Sequence, residues 1–592
     1  MSTKIDSLGQ VSKSGATTEN TLRLRIAARQ SALAQWQARE VGNAILATYG
    51  HDSSASPGPR RPRLEIEYNF RESLGDQRGE DPLWKMPAKG VFTEDFVADL
   101  HEGRADLVVH SWKDLPTDPR PGLEILATLP RASAEDVLLI KPEWRGGFLR
   151  VFTSSPRRSW ALPRVLRWAL PPSQAVTELE FRPVRGNIAT RLRKWRSDST
   201  IDAIVVALAA LDRLLEDEEK QGPALYPDSP PDTGRGIAAQ LQGAKWMILP
   251  LSEFPTAPAQ GALAIEGRAD REDLRQLLSP IHCAKTAEAA ERERNILRAQ
   301  GGGCHQKLGV SVRAIPGADW WTVVRGESEE GVSLNDEDLT SAWVGVPTEK
   351  IFGSQEYDRK FWKREPLENL IWPWRLSDRN RRGPRGVFVS RISAWPESPD
   401  LQASMQDQEI DFVFCAGVKT WHQLAARYDV WINACADSLG EEALPAWKRL
   451  CAAIVGGPQR LKSSEAWELY RLTHEAAPDR GDWRSWPTYR VFPDLRAKEF
   501  TESALDSASL LATEDQLRAR LRDCTHYYWM SRQQFEYCVR LVPEIRGRVS
   551  GCGPGKTWWE LKACWEQAAK AGVAMGPLQV LLAQSILRRS QS

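Results

Sequence analysis

Val108-Val109-His110-Ser111-Trp112-Lys113-Asp114-Leu115-Pro116-Thr117 is the stretch from which the rest of the chain can be read. Its valines close a buried strand, Asp106 to Val109, and the polar run ended by Pro116 opens a loop at that strand's carboxyl end. In open α/β sheets ligands bind at that edge. Lys113 and Asp114 place an ammonium beside a carboxylate there, one suited to an anionic substrate and the other to a developing cation. Taken alone such a pair is an ordinary solvated turn, because exposed charge pairs are mostly inert. The neighbouring segments decide otherwise.

Upstream, Leu22 to Ala28 alternates as a strand and Ala32 to Leu46 has helical period, which puts Arg29 and Ser31 at a strand-to-helix junction. Backbone N–H groups at a helix start, joined by a guanidinium, favour a carboxylate or phosphate. Downstream, Thr153-Ser154-Ser155-Pro156-Arg157-Arg158 repeats the pattern of strand, hydroxyl-rich turn and helix. Val184 to Arg191 turns at Gly186-Asn187 between Arg185 and Arg191, and the apolar strand and turn Ile201 to Leu211 is followed by Arg213. A surface shaped only for solubility would mix acids among these bases. The pattern predicts a cleft lined with cations and hydroxyls for a ligand bearing several carboxylates. Phosphate is disfavoured by the lack of a Walker or GxGxxG loop. Phe254 to Ile265 reads as a return strand, and a helix over Thr286 to Arg298 leads into Gly301-Gly302-Gly303-Cys304, where the glycines leave the thiol uncrowded.

A chain of 592 residues divides into three or more domains. Its net charge of +1 gives no global field toward nucleic acid or an anionic membrane. Nine cysteines form no CxxC pair and no metal-site spacing, which predicts free thiols, no metal and a reducing compartment. The head, 1–21, reads as disordered and lacks a secretory apolar core, and no run is long enough to span a bilayer. A soluble cytoplasmic protein is expected, without nucleic-acid or membrane partners. The 25 tryptophans are expected in cores or interfaces.

Arg25-Ile26-Ala27-Ala28-Arg29-Gln30-Ser31, Lys89-Gly90-Val91-Phe92-Thr93, His110 to Pro116, Thr153 to Arg158, Arg185-Gly186-Asn187 with Thr190-Arg191, Gln260-Gly261-Ala262-Leu263 and Gly302-Gly303-Cys304 stand in one order over about the first 345 residues. This ordered set closely resembles the porphobilinogen deaminases, or hydroxymethylbilane synthases. The resemblance implies an α/β fold. Two doubly wound domains like those of periplasmic binding proteins, 22–130 with 247–268 and 131–246, enclose the cleft, and a small α/β domain, 269–345, carries the cysteine. It also implies a transferase of tetrapyrrole (haem) biosynthesis that joins four porphobilinogen units on a dipyrromethane cofactor bound covalently at Cys304. Asp114 is then the catalytic residue, Lys113, Ser154, Arg157, Arg158 and Arg185 bind the cofactor, and Arg29, Ser31, Ser155, Arg191 and Arg213 bind substrate. A monomer is expected. The chain departs from the family pattern at Glu94 after Thr93, at Pro258-Ala259 before Gln260 and at Arg157 after Pro156. The competing reading is a polycarboxylate binder without chemistry, which would need neither Asp114 nor Cys304.

Residues 346–384, rich in Trp, Arg and Pro, read as a linker or insertion. A new α/β pattern follows over 385–590: strands at Gly386 to Arg391 and Ile410 to Gly417, a helix from Thr420 to Tyr428, His526 to Ser531 before a helix bearing Phe535, and Arg548 to Thr557 as strand, glycine turn and helix start. Gly553 to Thr557 is too short for a Walker loop. This order is similar to the second part of uroporphyrinogen-III synthase. That resemblance implies a bifunctional chain with Ser531 and Thr557 binding substrate; the alternative is a catalytically inactive accessory domain.

Overall fold

The computed structural model describes residues 21–49, 63–72, 94–222, 236–302, 306–315, 317, 320–328, 330–339, 343, 346–353, 362–367, 384–396, 410–461, 467–475, 477, 479, 481–493 and 514–581. Five sheets organise them. The first runs Arg63–Arg71, Thr21–Arg29, Leu107–Ser111, Leu263–Arg268, Leu123–Ala127. Its first three strands are parallel, and Leu263–Arg268 returns antiparallel beside Leu107–Ser111. The second repeats this plan as Val176–Arg182, Gly147–Phe152, Ala203–Ala207, Asp136–Ile140, Lys245–Ile248. Thr21–Arg29, Gly147–Phe152 and Val176–Arg182 lead into helices, and the basic turns read from the sequence lie at their carboxyl ends.

Two boundaries shift. Met247 and Ile248, expected in the first unit, pair with Leu138 and Val137 in the second sheet. The run Ile201 to Leu211, expected as strand and turn, becomes the strand Ala203–Ala207 followed at once by the helix Leu208–Gln221, which carries Arg213. The third unit is an antiparallel sheet, Gly309–Ala314, Trp320–Glu327, Ser333–Leu339, under the helix Ala284–Ala299.

The second half holds two sheets, and residues 346–384 supply a strand to each. Ile351–Phe352 opens an all-parallel sheet with His526–Trp529, Val549–Cys552 and Leu578–Val580. Trp362–Pro366 pairs antiparallel with Arg484–Pro493 at the edge of a six-stranded sheet that continues through Glu468–His474, Arg385–Val389, Phe412–Cys415 and Ala434–Cys435. The reading of 346–384 as a linker is corrected accordingly. These strands are too short and too rich in Trp and Arg for a period of two to show.

The two halves share their cores. Ile248 N donates to Asn433 O at 2.7 Å, and Asn433 Nδ2 and Trp431 Nε1 donate to Trp246 O at 3.0 and 2.9 Å. The edge strand Lys245–Ile248 is thereby covered by Trp431 and Asn433, just before the strand Ala434–Cys435, which removes an exposed sheet edge. Val137, Leu139 and Trp246 pack in one cluster with Phe412, Phe414 and Trp447. Trp421, fully buried, donates to Ala169 O at 2.9 Å and meets Trp168 edge to face. Farther along, Ile315, Trp321 and Val323 of the third unit share a core with Phe352, Trp529 and Trp558. Several of the tryptophans thus lie along this seam.

Candidate active site

The strand Leu107–Ser111 is buried over its first four residues and ends in a single turn, Trp112–Asp114. Trp112 is buried, its N donating to Ala262 O at 3.1 Å. Arg294, on the helix that leads to Cys304, donates to the carbonyls of Trp112 and Leu115 at 3.3 and 3.1 Å and to that of Pro116. The turn is therefore rigid on its inner side. Asp114 is exposed and has no hydrogen bond or ion pair among the described residues. Lys113 Nζ donates to Gln260 Oε1 at 3.0 Å. Burial pushes the Lys113 ammonium down to about 8, Asp114 opposing that shift and Arg158 adding to it.

Gln260 passes the contact into the second unit. Its Nε2 donates to Ala134 O at 2.7 Å and to Asp136 Oδ1 at 2.9 Å. It sits in a turn with φ of 63° at Ala259 and 88° at Gly261, where a Cβ on Gly261 would lie 2.5 Å from Ala132 O. Glu293 pins this turn: it accepts from Ala259 N at 2.7 Å and takes both prongs of Arg131 at 2.8 and 2.9 Å. Asp136 is fully buried and receives Arg157 Nη2 at 2.7 Å and Arg158 Nε and Nη2 at 3.1 and 2.6 Å. Burial raises the Asp136 carboxyl, but the two guanidiniums prevail and hold it well below the usual carboxylate range.

That pairing revises the expected roles of the arginines. Arg157 also donates to Pro255 O at 3.1 Å and Arg158 to Val205 O at 3.0 Å, and both are buried. Their guanidiniums are engaged with protein, so they organise the cleft wall. Arg191 stands nearer the opening. Its Nε donates to Gly186 O at 2.7 Å, and burial pulls its guanidinium down to about 10, with Arg158, Arg185 and Arg29 acting in the same direction and Asp114 against them. Groups from both α/β units, Arg29 and Asp114 from one and Arg158, Arg185 and Arg191 from the other, thus converge on one electrostatic neighbourhood.

The hydroxyls divide. Ser31 Oγ accepts from Ala34 N at 3.4 Å at the first helix start. Ser154 Oγ exchanges hydrogen bonds with Val184 O and N at 2.9 and 3.0 Å, tying two turns together. Ser155 begins the helix Pro156–Ala169 without using its side chain as a cap. Arg213 is not brought to the cluster. It is buried, donates to Gly261 O at 2.7 Å and lies over the Trp36 ring at 5.6 Å, so it bridges the two units. Ser531 and Thr557 lie in the second half, away from this cleft: Ser531 caps the helix Arg532–Leu541 through Gln534 N at 3.2 Å, and Thr557 Oγ1 donates to Met530 O at 3.1 Å. Cys304 and the segment Lys89 to Thr93 lie outside the described residues. Gly302, two residues before Cys304, sits beside Thr117 of the Asp114 loop, where an added Cβ would lie 3.0 Å from Thr117 Oγ1.

Residues 24–276 match the family model described as porphobilinogen deaminase, dipyrromethane cofactor binding domain. The porphobilinogen deaminase of Chromobacterium violaceum is 33% identical over 290 residues, covering 48% of this chain and 78% of that one. That of Paraburkholderia phytofirmans is 36% identical, covering 48% and 70%. This chain belongs to the porphobilinogen deaminase family. Deaminase function and the dipyrromethane cofactor come with that membership. Among solved structures, an ABC transporter periplasmic substrate-binding protein from Coxiella burnetii is 10% identical, covering 46% of this chain and 96% of that one with a TM-score of 0.22, a likeness on which nothing is built.

In this family member the donor set suits a dipyrrole bearing several acid groups: Arg29, Arg185 and Arg191 converge while the adjoining buried pairs are already satisfied. Sequence reasoning missed Asp136 and gave Gln260 no role. An acid heading the otherwise apolar strand Asp136–Ile140 was a usable signal, because a buried carboxylate needs a cation. Nothing in the sequence marked Glu293, one of several acids on an amphipathic helix. Among the described residues no helix is long and apolar enough to cross a membrane.

Proposed function

We propose that this chain joins four porphobilinogen units head to tail and releases them as hydroxymethylbilane, with Asp114 as the catalytic carboxylate. The exposed Asp114, held at the end of a rigid turn among cations from two domains, carries this reading. Loss of ammonia from the aminomethyl group of porphobilinogen leaves a cation, and a fixed carboxylate in a sheltered cleft stabilises the transition state leading to it. Asp114 also accepts hydrogen bonds from pyrrole N–H groups. Lys113, Arg29, Arg185 and Arg191 bind the acid side chains and orient each ring. Arg157 and Arg158 position the wall through Asp136, Ser31 and Ser154 hold the backbone turns, and Ser155 binds substrate. Dipyrromethane, bound through Cys304, supplies the pyrrole end from which growth begins.

A second activity is supported by a specific feature of the second half. Its two sheets approach each other at the carboxyl ends of parallel strands, where Lys556 Nζ lies 3.2 Å from His474 Nε2, and Ser531 and Thr557 follow His526–Trp529 and Val549–Cys552. We propose ring closure to uroporphyrinogen III there. The test for both is incubation of the full-length protein with porphobilinogen alone, followed by oxidation and isomer analysis. Mostly type III supports both activities. Mostly type I supports the deaminase and makes the second half an accessory domain. No porphyrin from folded protein contradicts the assignment.

A further inference from the structure

We infer that the segment Asp437 to Gly440 of the second half is coupled to the deaminase cleft, with Asp437 acting as a positioning residue for the deaminase.

Asp437 follows the strand Ala434–Cys435 and is buried. Its carboxylate reaches out of its own sheet: Oδ1 accepts from Ser252 Oγ at 2.6 Å and Oδ2 from Arg313 Nη2 at 2.9 Å. Arg313 lies over the Trp321 ring at 4.4 Å, its Nε is buried without a hydrogen-bond partner, and Asp437 is its one ion pair among the described residues. One carboxylate thus holds two deaminase elements. Ser252 belongs to the connection between the strands Lys245–Ile248 and Leu263–Arg268, which joins the first two units, and Arg313 lies on the strand Gly309–Ala314 of the third.

Both elements run on to the cleft. Three residues after Ser252, Pro255 O accepts from Arg157 Nη1 at 3.1 Å, and the same connection ends in Gln260, the partner of Lys113. On the strand, Val310 N donates to Thr256 O at 2.9 Å and Val312 N to Glu293 Oε1 at 2.8 Å, and Glu293 also pins the Gln260 turn through Ala259 N. A shift of Asp437 therefore reaches the supports of Lys113 and Arg157 by two routes that are themselves joined.

On its other side the segment is strained and closely packed. Asp437 and Ser438 have φ of 48° and 66°, two consecutive non-glycine residues in the left-handed region. Ser438 N donates to Ala416 O at 2.6 Å, and a Cβ on Gly417 would collide with Ser438 Oγ, so the conformation is imposed by the neighbouring chain. Beyond it, a Cβ on Gly555 would lie 2.8 Å from the Leu439 carbonyl carbon and 2.9 Å from Gly440 N. The turn that starts the helix Lys556–Lys570 therefore bears on the segment backbone to backbone. Strain of this kind persists where the surroundings over-determine it, and it clusters at switch segments. An element whose conformation both the cleft and the second half bias couples the two, and the coupling runs in both directions.

The experiment is amide hydrogen exchange, read by mass spectrometry, on the full-length protein with its cofactor, alone and after loading with porphobilinogen. In the parent, loading should change the exchange rates of residues 437–440 and 555–561 by at least about fivefold. D437N and S252A should each abolish that difference. S252A breaks a single contact and is read independently, in case D437N does not fold. A contact that merely glued the halves together would raise exchange in the variants equally in both states and leave the difference between states in place, which overturns the inference. So does a parent that consumes porphobilinogen with no change in exchange at these residues.

Discussion

Asp136→Asn is the perturbation whose consequence can be worked most fully. The carboxylate is fully buried and accepts four hydrogen bonds, from Arg157 Nη2, Arg158 Nε, Arg158 Nη2 and Gln260 Nε2, at 2.7, 3.1, 2.6 and 2.9 Å. Asparagine keeps one acceptor oxygen and turns the other into an NH2 group facing donors. It also leaves two buried guanidiniums without their counter-charge. Removing one partner of such a pair costs about 3–5 kcal/mol, roughly two to four orders of magnitude in a folding equilibrium at 1.36 kcal/mol per tenfold. The arginines hold Asp136 below the usual carboxylate range. Its stabilisation is therefore complete above an ordinary unfolded value of about 4 and is lost only as pH falls through its own lower value. The deficit of the variant should be the same at pH 6 and pH 8. Urea denaturation followed by circular dichroism measures it, and deaminase assays on folded material should show slower turnover because Arg158 and Gln260, the partner of Lys113, lose their common anchor. A variant within about 0.5 kcal/mol of the parent, the range of neutral surface substitutions, and fully active would refute the reasoning.

Lys113 gives a pH prediction: with its ammonium lowered to about 8, the charge is present below that pH and lost above it, so kcat/KM should fall as pH rises through about 8. K113R should move the fall above pH 10, and an unmoved alkaline limb would contradict the role. Trp421→Ala removes a fully buried indole at the seam and should cost about 3–5 kcal/mol. Heat inactivation of the deaminase should shift to lower temperature although the substitution lies in the second half. Asp437 accepts from Ser252 Oγ at 2.6 Å and Arg313 Nη2 at 2.9 Å, so D437N should weaken the attachment of the third unit by about 1.5–3 kcal/mol, read as a lower Tm.

The basic turns were legible because a strand that ends in Arg, Ser or Thr and leads into a helix leaves a local pattern, as at Arg29-Gln30-Ser31 and Thr153 to Arg158. What each base touches depends on distant partners. Arg157 and Arg158 read as ligand-binding until Asp136, 21 and 22 residues earlier, came within reach of both. The same holds for Arg213, which a strand-and-turn reading of Ile201 to Leu211 left at a cleft edge and the helix Leu208–Gln221 brings to Gly261 O. The seam between the halves was hidden, since Trp246, Trp421 and Trp447 look like ordinary core residues of separate units. Short edge strands such as Trp362–Pro366 gain their identity only from the strand they pair with.

The most direct test of the central claim is porphobilinogen turnover by D114N, with circular dichroism confirming its fold. Asparagine preserves the shape of an exposed side chain that has no hydrogen bond or ion pair among the described residues and removes only the charge. Losing the carboxylate should reduce kcat by at least about 10²–10³-fold. Turnover equal to that of the parent would contradict the account.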